Sequence, residues 1–175
     1  DPHHLMQLVT FYISTLLARP EDTYLVHQLY TETPDYFDII SIPLPTLEEV
    51  RYELELARHD PRRHTELLVC DGIQGIPDTN GRNIVGYLDY KLAYPQAGDG
   101  MVNLLLIWGK LQSKGLGRVA VTEFESRLKG QAKRVLVSIY GQNPRAERFW
   151  KSLGYSFAID AKPVLDWYAK TLSQG

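Results

Sequence analysis

Gln112-Ser113-Lys114-Gly115-Leu116-Gly117-Arg118 joins an apolar run, Asn103 to Trp108, to a segment of helical spacing, Leu116 to Lys129. The run predicts a strand and the segment a helix, so the glycines lie where one passes into the other. A helix begins with several main-chain N–H groups that have no intrahelical partner. Those donors and the positive end of the helix dipole favour a phosphate. Gly115 and Gly117 let the backbone approach a bulky anion and take up a positive φ where one is required. Lys114 and Arg118 add mobile positive charge. The stretch reads as an anion-binding turn in an α/β chain.

Three phosphate motifs compete for it. A P-loop needs Lys directly after its second glycine, and here Leu116 follows Gly115. The dinucleotide fingerprint is met on paper by Gly115, Gly117 and Ala120. Its first glycine belongs at the strand end, however, with a carboxylate after the next strand. Gly109 to Lys114 intervene, and the next strand, Arg134 to Tyr140, ends without one. The third pattern, Gln/Arg-x-x-Gly-x-Gly/Ala, is satisfied by Gln112, Gly115 and Gly117. Alone, it also describes a glycine-containing helix start with no ligand.

A second signature lies downstream. Asn143-Pro144-Arg145-Ala146 is followed by Phe149-Trp150-Lys151-Ser152-Leu153-Gly154-Tyr155. Together, in this order, the two resemble the GNAT superfamily of N-acetyltransferases over about Ile84 to Tyr155. The stretches Asp35-Tyr36-Phe37 and Pro45-Thr46-Leu47-Glu48-Glu49 fit the family less specifically. The resemblance implies acetyl-CoA as co-substrate and a primary amine, on a small molecule or a protein, as acceptor.

Around these motifs the chain divides readily. Leu8 to Leu17 predicts a first strand. Pro20 suits a helix start, and Leu25, Val26, Leu29 and Tyr30 carry helical spacing to about Thr31. Thr46 and Glu49 form a capping box ahead of a helix to about Arg58. Thr65 to Asp71, Asn83 to Leu92 and Met101 to Trp108 predict strands of a meander. Ala146, Phe149, Trp150 and Leu153 share one helix face, and Gly154 fits the left-handed position that ends it. Two more strands are expected near Tyr155 to Asp160 and Val164 to Tyr168. The fold class is α/β: a single GNAT-like domain over residues 6–175, with a mixed sheet of about six to seven strands and about four helices. The strands at 101–108 and 134–140 should be parallel, because a helix connects them. In the family these two strands splay and the cofactor arm lies between them.

Composition narrows the function. The chain has 175 residues and a formal net charge of -2, which argues against a broad nucleic-acid surface. No apolar run approaches a membrane span of about 20 residues. Residues 1–5, with His3-His4 just before Met6, are expected to be a scar of cloning, and no metal site is expected there. The lone Cys70 excludes an internal disulfide and fits a buried thiol in a reducing cytoplasm. Exposed C-terminal strands often pair between protomers in this family, so a homodimer is among the expectations.

The resemblance also assigns roles. The pyrophosphate would sit on the amides of Ser113, Lys114, Gly115, Leu116, Gly117 and Arg118, with Gln112 opening the motif. The pantetheine arm would pair with the main chain of Leu105, Leu106 and Ile107 as an added strand does. Asn143 would bond the arm, or serve as the N-cap of its own helix, or both. Candidates for proton transfer are Asp89 as base and Tyr140 as acid, with Tyr155 a further candidate for the acid. The plainer reading of Asp89 is an ion-paired strand residue. Asn103, a lone polar residue in an apolar strand, cannot act as a base. Many relatives carry Tyr where this chain has Trp150, whose indole does not titrate usefully. That departure keeps open a CoA-binding sensor with little turnover. Tyr36 and Phe37, in a Pro-flanked turn, are the candidates for shaping the acceptor pocket.

Overall fold

The computed structural model describes residues 11–33, 43–140, 143–162 and 165–173. In chain order the elements are β1 (Ile13–Leu17), α1 (Thr23–Thr31), α2 (Leu47–His59), β2 (Arg63–Cys70), β3 (Ile76–Pro77), β4 (Asn83–Leu92) and β5 (Asp99–Ile107). They continue with α3 (Leu116–Leu128), β6 (Arg134–Tyr140), α4 (Pro144–Ser152), β7 (Ser156–Lys162) and β8 (Leu165–Thr171). All the strands join one mixed sheet, ordered β1-β2-β4-β5-β6-β8-β7, with β3 paired to β4. The eighth strand, beyond the six to seven expected, is β3. It has two residues, one of them proline, and so no periodicity to read.

Each helix forms for a local reason. Glu49 N–H donates to Thr46 Oγ1 and Thr46 N–H to Glu49 Oε1, both at 3.1 Å, closing the capping box of α2. Val50, Leu54 and Ala57 are buried along that helix. Leu116, Ala120, Val121, Phe124 and Leu128 form the buried face of α3, the leucine, valine and phenylalanine side chains each worth roughly 2 kcal/mol by burial. Pro144 begins α4, and Asn143 Oδ1 accepts from Ala146 N–H at 3.0 Å as its N-cap. Gly154, at φ 93°, ends it in the left-handed region.

The helices cover both faces of the sheet. Tyr87 of β4 meets Tyr30 of α1, with ring centroids 6.2 Å apart, on one face. Tyr90 meets Phe124 of α3 at 4.8 Å on the other. The first strand is shorter than expected, Ile13–Leu17, and Leu8 to Thr10 lie outside the described residues. β5 begins at Asp99, before the expected Met101, and Trp108 lies just past its end. Asp99 is fixed there by a two-pronged ion pair with Arg134 of β6, at 3.1 and 2.9 Å. The C-terminal strands are longer than expected, and β8 inserts between β6 and β7. Among the described residues no helix is long and apolar enough to cross a membrane.

The parallel pairing of β5 with β6 is short. It runs from Asp99↔Arg134 to Val102↔Val137 and stops. On its other side β5 continues along β4, where Asp89 faces Leu104 but Tyr90 faces Val102. Asn103 is thus the extra residue of a β-bulge, which bends a strand and strengthens its twist. The bulge falls where β5 leaves β6. From Asn103 to Ile107 one edge of β5 has no strand beside it among the described residues.

Candidate active site

A cleft of about 410 Å³ opens at this parting, between β5, the loop after it, and the starts of α3 and α4. Leu105 and Ile107 line one bank, and Asn143, Ala146 and Phe149 the other. Register explains which part of β5 faces it. Trp108 N–H donates to Val85 O at 2.9 Å, so alternation places the main-chain groups of Leu106 on β4 and those of Leu105 and Ile107 on the open edge. A Cβ on Gly86 would collide with the Leu106 carbonyl, which confirms that this carbonyl points at β4. The Leu106 side chain is in the core. Leu106 therefore offers nothing to the cleft, contrary to expectation, because adjacent residues of a strand face opposite ways.

The loop after β5 supplies donors. Among the described residues no hydrogen bond is formed by the main-chain N–H groups of Ser113, Lys114, Gly115, Leu116, Gly117 and Arg118. The first intrahelical bond of α3 is Val119 N–H to Gly115 O, at 3.2 Å. Ser113 and Gly115 both have positive φ, 63° and 83°. A Cβ on Gly115 would meet nothing within 4 Å. Open space and unpaired donors at a helix N-terminus fit a phosphate chemically. Arg118 lines the cleft, its Nη2 3.4 Å from Ser152 Oγ, whereas Lys114 is exposed and is not part of the lining.

Gly117 serves a different purpose from the one expected. Its φ is not positive. A Cβ there would lie 3.1 Å from the ring of Phe149, so this glycine lets α4 pack against α3. Gln112 spans the cleft: its Nε2 donates to Ile107 O at 3.1 Å, and its Oε1 accepts from Arg145 Nη2 at 3.0 Å. Arg145 is a cationic lining residue that the sequence reading did not single out. The available signal was its spacing, since Arg145 and Phe149 lie four apart on one helix face.

Asn143 holds its N-cap bond while only 5% exposed, and it lines the cleft. Its Nδ2 has no hydrogen bond among the described residues. Trp150 packs edge-on between Phe149 and Tyr155, at 5.1 and 5.0 Å. Tyr155 is withdrawn from the cleft's chemistry. Burial and its 2.8 Å bond to Glu125 Oε2 raise its pKa, and Lys170 completes that cluster. The side chain of Tyr140 and all of Tyr36 and Phe37 lie outside the described residues.

Asp89 lies on the opposite face of the sheet. Arg63 grips both its oxygens, Nε at 3.2 Å and Nη2 at 2.7 Å, and Asn103 Nδ2 is 3.5 Å away. Arg63 also reaches Glu53 of α2 at 2.7 Å. The geometry supports the ion-paired reading: accepting a proton would cost Asp89 a two-pronged, largely buried pair.

The sequence matches no protein-family model and no curated protein. Solved structures do resemble it. A crystal structure of an acetyltransferase from Thermus thermophilus is 36% identical, with a TM-score of 0.82 over 92% of this chain and 97% of that one. A putative GNAT-family acetyltransferase from Desulfovibrio desulfuricans has a TM-score of 0.67 at 16% identity, over 94% of this chain and 100% of that one. The chain belongs to the GNAT family of acetyltransferases. The PaiA N-acetyltransferase from Thermoplasma acidophilum, solved in complex with coenzyme A, shares this acetyltransferase's fold at 13% identity, with a TM-score of 0.66 over 91% of this chain and 98% of that one. Gly115, Gln112, Arg118 and Asn143, the motif residues of the sequence, converge on one cleft of this acetyltransferase.

Proposed function

We propose that this acetyltransferase moves an acetyl group from acetyl-CoA to a primary amine by direct attack. The observation that carries the reading is the run of unpartnered amides from Ser113 to Arg118, beside a strand edge left open from Asn103. The amides and Arg118 would hold the pyrophosphate, with Lys114 as an outlying charge. The free main-chain groups of Leu105 and the N–H of Ile107, whose carbonyl is held by Gln112, would pair with the amide-bearing arm, and Asn143 Nδ2 would bond it. Acetyl-CoA supplies an activated thioester and a good leaving group. An outward N–H of the open strand edge would stabilise the oxyanion. An alkylammonium acceptor, with a pKa of about 10.4, must shed its proton first. Water takes it in this reading, because Asp89 is held by Arg63. Tyr140, at the end of the strand that leaves β5, is the proposed acid. The acetyltransferase relative at 36% identity favours turnover over the sensor alternative.

Two measurements test this. Thermal melting with CoA, NAD and ATP should show stabilisation by CoA above the others. At ligand near 100 times Kd the linkage is about 2.7 kcal/mol, a rise of roughly 5–10 °C for a domain of this size. A larger rise with NAD rejects the cofactor. Tyr140→Phe should lower kcat more than it raises the KM for acetyl-CoA, since an acid acts mainly in the transition state. A fall in kcat of less than about threefold rejects Tyr140, because general acid help is typically worth 10²–10⁴.

A further inference from the structure

A second cavity, about 690 Å³, lies on the face of the sheet away from the cofactor cleft, between α1, α2 and β4. Among the described residues its lining carries three carboxylates, Glu48, Glu49 and Glu53, and three tyrosines, Tyr30, Tyr52 and Tyr87, with no cationic side chain. Two of the carboxylates are committed: Glu49 to its capping box and Glu53 to Arg63. Glu48 has no ion pair among the described residues.

Tyr87 gives the cavity its direction. The residue is only 2% exposed, yet its hydroxyl has no hydrogen bond among the described residues. That hydroxyl is not sealed from solvent, so its bonding capacity is open to the cavity that Tyr87 lines. The charged groups that act on it are Asp89, Arg63 and Glu53. Tyr87 also stands directly opposite Leu106 in the β4–β5 register. It is therefore one strand away from the open edge whose other face borders the cofactor cleft. The cavity thus touches the sheet at β4, the strand beside the stretch of β5 that borders the cofactor cleft past the bulge at Asn103.

Resting on the acetyl-transfer reading above, we infer that this cavity is the acceptor site and that its acceptor is an alkyl diamine or longer polyamine. One amine meets the thioester at the open edge, beside the Tyr87 hydroxyl. A second, still protonated, lies against the Glu48 carboxylate and the faces of the tyrosines. Ammonium groups are drawn to carboxylates and to aromatic faces alike, and no cation among the described lining residues opposes them. In the transfer step the N–C bond forms as the C–S bond breaks. The amine proton goes to solvent, and the thiolate takes one from Tyr140 or water.

The test uses three amines of matched length that differ only at the far end: 1,4-diaminobutane, n-butylamine and 4-aminobutanoate. With the full chain and saturating acetyl-CoA, kcat/KM should favour the diamine over butylamine by at least about tenfold, with 4-aminobutanoate last. Glu48→Gln should shrink the diamine preference by up to about fivefold, as loss of one partly exposed charge pair does, with the CoA melting shift unchanged. Tyr87→Phe should raise the KM for the diamine and leave the KM for acetyl-CoA unchanged. Calorimetric titration of 1,4-diaminobutane into CoA-loaded protein gives a readout independent of turnover, and it should bind more tightly than butylamine. Equal or better use of 4-aminobutanoate, or no diamine binding to CoA-loaded protein, overturns the inference while the acetyltransferase reading stands. Absence of any CoA stabilisation sinks the reading itself.

Discussion

Gly117 and Asn143 each do something at the cleft that their motif position does not state. A Cβ on Gly117 would lie 3.1 Å from the Phe149 ring, so Gly117→Val overpacks the contact between α3 and α4. Overpacking costs about 2 kcal/mol, a fall in melting temperature of roughly 4–8 °C. Weaker CoA binding should accompany that fall, because α4 forms one bank of the cleft. A mutant that melts like the wild type contradicts the packing role. Asn143 spends its Oδ1 on the helix cap. Asn143→Ala should therefore cost about 1 kcal/mol of stability. A raised KM for acetyl-CoA in the same variant would show that Nδ2 serves the cofactor as well, and an unchanged KM removes Asn143 from the binding residues.

At the scale of elements, Arg63 binds three of them together: β2, on which it sits, β4 through Asp89, and α2 through Glu53. Arg63→Met would strand a buried Asp89 carboxylate, at a cost of about 3 kcal/mol. The double variant with Asp89→Asn should recover part of that stability, as a double-mutant cycle would measure. Complete additivity would deny the coupling. This network was not legible in the sequence, because a salt bridge between distant positions leaves no periodic trace. The elements themselves were largely legible. The Thr46–Glu49 capping box, the β4 and β6 ranges, and the helix ends at Gly115 and Gly154 are set by local chemistry that a single chain displays. The insertion of β8 between β6 and β7, by contrast, is decided by tertiary pairing that no local signal encodes. The Asn103 bulge had a visible trace, a polar residue in an apolar strand. Its meaning required the register, which shows that the residue marks where two strands part.

For the molecule as a whole, the motif residues gathered on one face because strand, turn and helix N-terminus are consecutive in the chain. The second cavity was not legible. It joins α1, α2 and β4 from distant parts of the sequence, and its most informative residue, Tyr87, looks like any tyrosine in a strand. Leu106 shows the same limit at smaller range, since period-two alternation says that neighbours face opposite ways but not which of them faces the cleft. The chain's single thiol, Cys70, is fully buried in β2, and burial raises its pKa above the ordinary value. A colour-forming sulfhydryl reagent reacts with thiolate, so the folded protein gives it almost nothing to meet. Released CoA can then be followed continuously in the reaction mixture without a blank from the enzyme. The slow labelling of Cys70 in a parallel cuvette, with no substrate, counts molecules that have opened.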